Sequence, residues 1–195
     1  MIFITLFVAS LLSLLLGIVS AVPLQFARDD SFADLSEYLW THNTIRLRYN
    51  APMLTWSDEL AAAAQHWADG CNFKHSDGAL IDSPYGENIA AATGTFGIIS
   101  AVESFAGDED SYDPNSPSPT FTDFTQLIWK NTTSVGCAYN TQCSNIFPAS
   151  SGKATIHVCL YNPPLLDTGK RRNDLRLINV NLIIMTTRVP ATKSL

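Results

Sequence analysis

The residue with the widest choice of chemical roles is an aspartate that opens a mixed polar and aromatic stretch. Asp123 precedes Phe124-Thr125-Gln126 in "TDFTQLIWKNTTSVGCAYNTQC", which begins with a helix-like pattern and ends as a strand bounded by cysteines. A carboxylate there can ligate a cation, act in acid–base catalysis, or occupy the first turn of a helix, where the dipole favours negative charge. The helix-terminal role is the more common one for this residue type.

The cysteines indicate structural bridges rather than chemistry. The four of them, Cys71, Cys137, Cys143 and Cys159, include no Cys-x-x-Cys pair of the kind that zinc sites use. An even count in a secreted chain favours two disulfides over free thiols. Because the sequence also lacks Gly-x-Ser-x-Gly, no nucleophile motif is present, and we do not predict an enzyme or a required cofactor.

An N-terminal leader predicts secretion. The segment "MIFITLFVASLLSLLLGIVSAVP" carries no charged side chain and ends in small residues, so we predict a signal peptide over 1–21, cut after Ala21. The alternative is an uncleaved signal anchor. Asn131-Thr132-Thr133 is a glycosylation sequon, which suits a surface loop of a secreted protein.

Charge is divided unevenly along the chain. Residues 22–164 hold six Lys/Arg and sixteen Asp/Glu, whereas residues 165–195 hold six Lys/Arg and two Asp/Glu. The acidic body argues against nucleic acid as a partner. The basic tail could contact an acidic surface or anionic lipid, or it could be a loose extension.

Periodicity and capping residues predict several short elements. Ser31 and Ser57 are candidate N-caps for the first two helices, and Gly70 is a candidate stop for the second. Residues 72–95 have a loop-like composition. The predicted helices cover 32–49, 58–69, 97–107 and 123–130, and the predicted strands cover 134–142 and 154–161.

The two strands bear on how the cysteines pair, because four cysteines allow three pairings. If the strands form an antiparallel hairpin centred near Pro148, Cys137 lies almost opposite Cys159, close enough for a bridge. That arrangement leaves Cys71, at the end of the second helix, to pair with Cys143.

Four motifs together resemble the CAP superfamily, the secreted cysteine-rich proteins that include plant pathogenesis-related class 1 proteins. They are "HNTIRLRYNAPMLTWSDELAAAAQHWADGCNFKHS", "YGENIA", "FTQLIWKNTTSVGCAY" and "CLYNPP", and they cover roughly residues 35–164. The single-domain layout and "ADGCNFKHS" look most like the fungal members. The resemblance implies an α+β fold, a three-layer α-β-α sandwich with a central antiparallel sheet.

The resemblance also implies a cleft with two histidines and two acids, which holds zinc or magnesium in some members. The matching positions here are His75, Glu87, Asp108 and Asp123. Asp123 stands where a histidine is expected, and Asp108 where a glutamate is expected. Three carboxylates and one imidazole suit Mg²⁺ or Ca²⁺ better than Zn²⁺. A metal-dependent hydrolase using His75 and Glu87 is the corresponding alternative function.

For the fungal members the resemblance implies extracellular binding of a sterol or fatty acid by an aromatic loop. The matching loop is "SYDPNSPSPTFTDF", with Tyr112, Phe121 and Phe124 as candidate ligand contacts. Alternatively, Phe121 and Phe124 anchor the following helix in the core. A third reading is an effector-like protein that meets host or cell-surface components without a small ligand. We expect a monomer in each case.

The predicted organisation is therefore a signal peptide, a short lead-in over 22–34, a CAP domain over 35–164 and an atypical basic tail over 165–195. The tail could supply a strand or a membrane-touching patch, or it could be the product of a faulty gene model.

Overall fold

A computed structural model describes residues 30–116 and 120–165 and the backbone of 183–184. The predicted signal peptide and residues 22–29 of the lead-in lie outside the described residues. The elements in chain order are α1 (Asp30–Arg48), β1 (Thr55–Trp56), α2 (Asp58–Asp69), β2 (Gly86–Thr93), α3 (Ile98–Ser104), α4 (Asp123–Leu127), β3 (Ser134–Cys143), β4 (Ala154–Asn162) and β5 (Ile183–Ile184).

The strands form one sheet in the order β1-β3-β4-β2-β5. β3 and β4 make the expected antiparallel hairpin, with Cys137 opposite Cys159. β2 pairs antiparallel with β4 and places Glu87 opposite Leu160. The described part of the tail contributes β5, whose backbone pairs parallel with Ala90 and Ala91 of β2.

The loop-like interpretation of residues 72–95 was wrong for their second half, because Gly86–Thr93 is β2. Seven of its eight residues are buried, so both faces of the strand are covered. A strand buried on both faces loses the polar–apolar alternation that marks a half-exposed strand. The run of small alanines further weakened the β signal.

Two hydrophobic clusters lie on opposite faces of the sheet, which confirms the predicted α-β-α sandwich. One cluster joins α1, α3 and α4 to sheet residues such as Ala90, Ala92 and Tyr161. The other joins α2 to the sheet residues that alternate with these along β2, such as Ile89 and Ala91. This division follows from the two-residue period of a strand.

The helix predictions were closest where a side-chain cap fixes the boundary. α2 has the predicted bounds, and Ser57 Oγ accepts a hydrogen bond from Leu60 N at 3.3 Å. α1 begins at Asp30, one residue before Ser31, so Ser31 lies inside the helix and is not its N-cap. α3 and α4 are shorter than predicted.

Both inferred disulfides form. Cys71 and Cys143 join the end of α2 to the end of β3, with a Cα–Cα distance of 5.4 Å. Cys137 and Cys159 join facing positions of the hairpin, with a Cα–Cα distance of 4.1 Å. Among the described residues, no helix has the length and apolarity needed to cross a bilayer.

Gly136 allows α2 to lie directly against β3. A Cβ atom at this position would come within 2.2 Å of the Ala61 nitrogen and 2.5 Å of the Ser57 carbonyl oxygen. Both obstacles are backbone atoms, so a side chain here can be accommodated only if the helix moves away from the sheet.

We therefore expect Gly136→Ala to lower the free energy of unfolding by about 3 kcal/mol, the upper part of the usual range for overpacking. Urea denaturation measures the change. Gly97→Ala is the matched control, because a Cβ there meets nothing within 4 Å and removing a glycine N-cap costs less than about 1 kcal/mol. Equal effects of the two substitutions would contradict this account of the α2–β3 contact.

Candidate functional site

Glu87 is the second residue of β2 and holds the preceding loop. His75 Nδ1 lies 2.9 Å from Glu87 Oε1, and the Ser76 amide donates to the same oxygen at 3.0 Å. The Ser76 hydroxyl donates to the other carboxylate oxygen, Oε2. Tyr85 in turn contacts Ser76 Oγ at 2.6 Å. The carboxylate is buried, and these donors compensate for its loss of water.

Asp123 is the first residue of α4, but it does not cap the helix. The cap is Thr122, whose Oγ1 accepts from Thr125 N at 3.2 Å, while the Thr125 hydroxyl accepts from Thr122 N at 2.8 Å. This reciprocal pair satisfies the amides that an aspartate at the N-cap would otherwise serve. Asp123 thus occupies the first turn of the helix, as expected, whereas the N-cap side chain is that of Thr122.

The Asp123 side chain is instead buried in the interior. Its exposed fraction is 0%, and neither carboxylate oxygen has a hydrogen-bond partner. Burial raises the pKa of this carboxyl well above its usual value, and the negative charges of Asp108 and Glu87 raise it further. An electrostatic effect from both acids shows that three of the four predicted cleft residues lie near one another.

Asp108 lies at the start of a 3₁₀ turn, Glu109–Ser111, and is half-buried. The next residue in the chain, Glu109, is engaged elsewhere. The Tyr49 hydroxyl donates to Glu109 Oε1, and Arg48 lies 3.7 Å from Oε2. Asp108 is therefore the acid of the run that acts on Asp123.

The four predicted residues do not form a ready cation site as they are placed. In the described part of the chain, the only group of three ligand-bearing side chains with ligand atoms within 4.8 Å of one another is His42, Cys137 and Cys159. The two cysteines of that group are joined in a disulfide. The predicted residues lie in the same region, but their ligand atoms do not converge on one point. No chemical step is therefore assigned to a bound ion.

A buried network of histidines and tyrosines was missed at the sequence level, where His42 and His157 had no named partner. His42 Nδ1 donates to the Tyr38 carbonyl at 2.8 Å, so His42 Nε2 accepts from the Tyr161 hydroxyl at 2.8 Å. Asn88 Nδ2 donates to that hydroxyl at 3.3 Å and to the Asp123 carbonyl at 2.9 Å. The network thus connects α1, β4, β2 and α4.

His157 makes a second branch of the network. Its Nε2 donates to the Phe96 carbonyl at 2.8 Å, which leaves Nδ1 to accept from the Tyr38 hydroxyl at 2.6 Å. Burial lowers the pKa of His42 and that of His157 to about 4. One usable signal was present in the sequence, since His42 follows Tyr38 by one helical turn on the face that carries Arg46.

Arg46 is fully buried and binds four backbone carbonyls. Its Nε donates to Pro52 at 2.8 Å, and its terminal nitrogens donate to Leu127, Trp129 and Thr132 at 2.8 to 3.0 Å. Burial lowers the pKa of Arg46 to about 10, so the guanidinium is charged at neutral pH. These bonds fix the turn that follows α4, whose Trp129 and Asn131 border a large cavity.

That cavity, of about 730 Å³, lies beside the predicted aromatic loop. It is bordered by Tyr49, Tyr112, Ile128, Trp129 and Leu165, with Arg48 and Lys130 among its charged residues. The indole N–H of Trp129 is buried without a hydrogen-bond partner. The cavity itself combines apolar side chains with charged groups of both signs, since Glu109 and Asp113 border it together with Arg48 and Lys130.

Only Tyr112 of the three predicted aromatic contacts borders the cavity. Phe124 is fully buried, and its ring packs edge-on against Tyr49 at 5.0 Å and Tyr112 at 5.4 Å. The expectation that Phe124 contacts ligand is therefore corrected to the alternative of a core anchor, because no face of it is left exposed. Phe121 is half-buried and lies outside the residues that border the cavity.

Comparison with known proteins decides the family. Residues 39–161 match the cysteine-rich secretory protein family, CAP. The chain belongs to this family. The CAP domain is 36% identical to pathogenesis-related protein 1A1 of Solanum lycopersicum over 135 residues, which covers 65% of this chain and 70% of that protein. It is 38% identical to "Repressed by EFG1 protein 1" of Candida albicans over 143 residues, covering 69% and 47%.

A solved structure supports the fold of the CAP domain. The venom allergen-like protein 4 of Schistosoma mansoni superposes with a TM-score of 0.53 at 23% identity, covering 70% of this chain and 90% of that one. At this identity the likeness concerns the fold alone. The chain spans less than half the length of its fungal relatives from Arthroderma benhamiae and Candida albicans.

The unpartnered carboxylate of this CAP domain gives a direct test. We expect Asp123→Asn to raise the free energy of unfolding by about 2 kcal/mol at pH 8 in EDTA, because it removes a buried group that resists ionisation. The folded-state pKa is raised, so the wild type loses stability as pH rises above the unfolded value near 3.8. The amide of the variant does not titrate, so the difference between the proteins should grow with pH.

Urea denaturation from pH 4 to pH 8 measures this difference. Asp82→Asn is the matched control, because Asp82 is exposed. A gap between wild type and Asp123→Asn that stays constant over this range would mean that Asp123 does not resist ionisation.

The buried histidines predict loss of stability in acid. Their folded pKa values of about 4 lie below the ordinary value of 6.5, so the unfolded chain takes up protons that the folded chain refuses. The contribution of the two histidines to stability should be complete above pH 6.5 and should fall between pH 6.5 and 4, by about 1.4 kcal/mol per pH unit for each histidine.

Replacing either histidine by glutamine should remove about half of this slope, although both variants lose stability at pH 7 through their broken hydrogen bonds. His66→Gln is the control, since its side chain is exposed on α2 and should leave the slope unchanged. Denaturation at fixed temperature and several pH values gives the slopes. A full wild-type slope in both variants would assign the acid sensitivity to other groups.

Proposed function

We propose that this CAP-domain protein acts outside the cell as a binding protein for a sterol or a fatty acid. The observation that carries the proposal is the cavity of about 730 Å³ bordered by Tyr49, Tyr112, Ile128, Trp129 and Leu165. Its volume falls within the range of pockets that take drug-sized ligands. The disulfides, the leader and the relationship to pathogenesis-related proteins support an extracellular setting.

Apolar surface and one polar anchor are what a sterol or fatty acid requires. Burial of apolar ligand surface contributes about 25 cal/mol for each Å² removed from water. Lys130 at the border of the cavity can donate to the sterol hydroxyl or to a carboxylate. Glu109 and Asp113 also border the cavity and offset the positive charge of Arg48 and Lys130, so the charges do not favour a fatty acid over a sterol.

Binding is better supported than catalysis. A metal-dependent hydrolase would need an open cation site with a base beside it. The Glu87 carboxylate instead accepts hydrogen bonds from Ser76 and contacts His75, which ties down the loop. The contacts at Glu87 therefore support a structural role.

Titration of the purified protein with labelled cholesterol and with labelled palmitate tests the proposal. We expect saturable binding of at least one lipid, and we expect Tyr112→Ser to weaken it about tenfold because an aromatic wall of the cavity is lost. Phe32→Ser is the control, since Phe32 is a widely exposed aromatic on α1.

The titrations are run with Mg²⁺, with Ca²⁺ and with EDTA, and the melting temperature of each variant confirms folding. Absence of saturable binding of either lipid under all three conditions would reject the proposal. Binding that Tyr112→Ser leaves intact would place the lipid in a different part of the fold. Hydrolytic activity that is abolished by both EDTA and His75→Ala would restore the enzymatic alternative.

A further inference from the structure

A second, smaller cavity lies between α1 and α2, over strand β3. Its volume is about 270 Å³. Three aromatic residues from three different elements border it: Tyr38 of α1, Trp56 of β1 and Tyr139 of β3. Two carboxylates, Asp34 and Asp58, border it as well. The cavity shares none of its bordering residues with the lipid cavity.

The aromatic walls are held in place by contacts that leave little freedom. The Tyr38 and Trp56 rings stack with centroids 6.3 Å apart. The Tyr38 hydroxyl is engaged by His157. Tyr139 stacks on His157 at 5.3 Å and donates its hydroxyl to Asp34 Oδ2 at 3.1 Å. Because these rings are fixed before any ligand arrives, a ligand loses less entropy on binding.

The electrostatic character of this cavity is negative. Asp34 is half-buried and Asp58 is exposed at its border, and the ten residues that border it include neither lysine nor arginine. Asp34 and Glu37 also contribute to raising the pKa of Tyr38, after burial and Tyr139. An anionic ligand would find no partner here, whereas a cation would be attracted by both carboxylates.

Aromatic faces combined with carboxylates form a recognised environment for organic cations. The quadrupole of a tyrosine or tryptophan ring attracts a cation placed over its face, and a weakly hydrated ammonium gains most from this arrangement. A metal ion would require several converging oxygen ligands, which two separate carboxylates do not supply. The size of the cavity, near 270 Å³, accommodates a small head group and not a whole lipid.

From this arrangement we propose that the cavity between α1 and α2 binds a quaternary ammonium group, with Trp56 and Tyr139 as its aromatic walls, the buried Tyr38 ring as the support behind Trp56, and Asp34 and Asp58 as its counter-charges. Free choline and the head group of phosphatidylcholine carry the same chemical group. The proposal does not depend on lipid binding in the larger cavity.

Calorimetric titration with choline chloride tests the site. We expect saturable binding with a dissociation constant on the order of 1 mM, since only a few cation–π contacts are formed. The comparison ligand is 3,3-dimethylbutan-1-ol, which has the shape of choline without the charge. It should bind at least tenfold more weakly, and equal binding of the two ligands would overturn the proposal.

Two variants locate the site on the protein. Asp34→Asn combined with Asp58→Asn should weaken choline binding at least tenfold, and so should Trp56→Leu. The matched control combines Asp82→Asn with Asp110→Asn, which removes the same charge from exposed positions and should change affinity less than twofold. Equal losses in the two double variants would show attraction to overall charge only and would reject the site.

Further arms separate the sources of the ligand and the two cavities. Sedimentation with phosphatidylcholine vesicles, against phosphatidylglycerol vesicles, shows whether the group is recognised on a lipid surface or as free choline; either result upholds the site if the Asp34/Asp58 variant abolishes it. Tyr112→Ser should retain choline binding. The Asp34/Asp58 variant should retain cholesterol or palmitate binding, so failure of one proposal is distinguishable from failure of the other.

Discussion

The fold depends on one buried charge, the Arg46 guanidinium at the end of α1. It donates to the carbonyls of Pro52, Leu127, Trp129 and Thr132, and so joins α1 to the end of α4 and to the turn before β3. A buried charge is tolerated only when its donors are paired, and here the partners are backbone atoms of an irregular turn that has few other ways to satisfy them. This turn also forms one border of the larger cavity.

A second set of buried polar groups leads to the candidate cleft. Hydrogen bonds join His42 to Tyr161, Tyr161 to Asn88, and Asn88 to the backbone of α4. The network ends at an aspartate whose carboxylate has no partner. An imidazole, expected there from the resemblance, would bring one donor and one acceptor in its neutral form, whereas a carboxylate brings only acceptors. With a carboxylate at this position, hydrogen bonds that an imidazole could make are absent and the buried group disfavours a negative charge. The cleft also has one nitrogen ligand fewer than zinc sites usually have.

Helix α1 forms part of both cavities. Arg48 and Tyr49 at its C-terminal end border the large cavity, and Asp34 and Tyr38 near its N-terminal end border the small one. Asp34 and Arg48 are 14 positions apart in this helix, which corresponds to about 21 Å along its axis. The large cavity is bordered by two cationic and two anionic side chains, whereas the small cavity is bordered by carboxylates without a lysine or arginine. One helix therefore carries residues of two cavities that differ in electrostatic character.

Local rules in the sequence determined much of the fold. The Ser57 cap fixed the start of α2, and the strand pattern around Pro148 placed Cys137 opposite Cys159, because caps and hairpin registers depend on neighbours in the chain. Only the tertiary structure showed that Gly86–Thr93 is a strand covered on both faces, that the Asp123 carboxylate in the first turn of α4 is buried, and that Phe124 is a core anchor. Burial and long-range hydrogen bonds decide these outcomes. They depend on residues distant in sequence, and no local pattern records them.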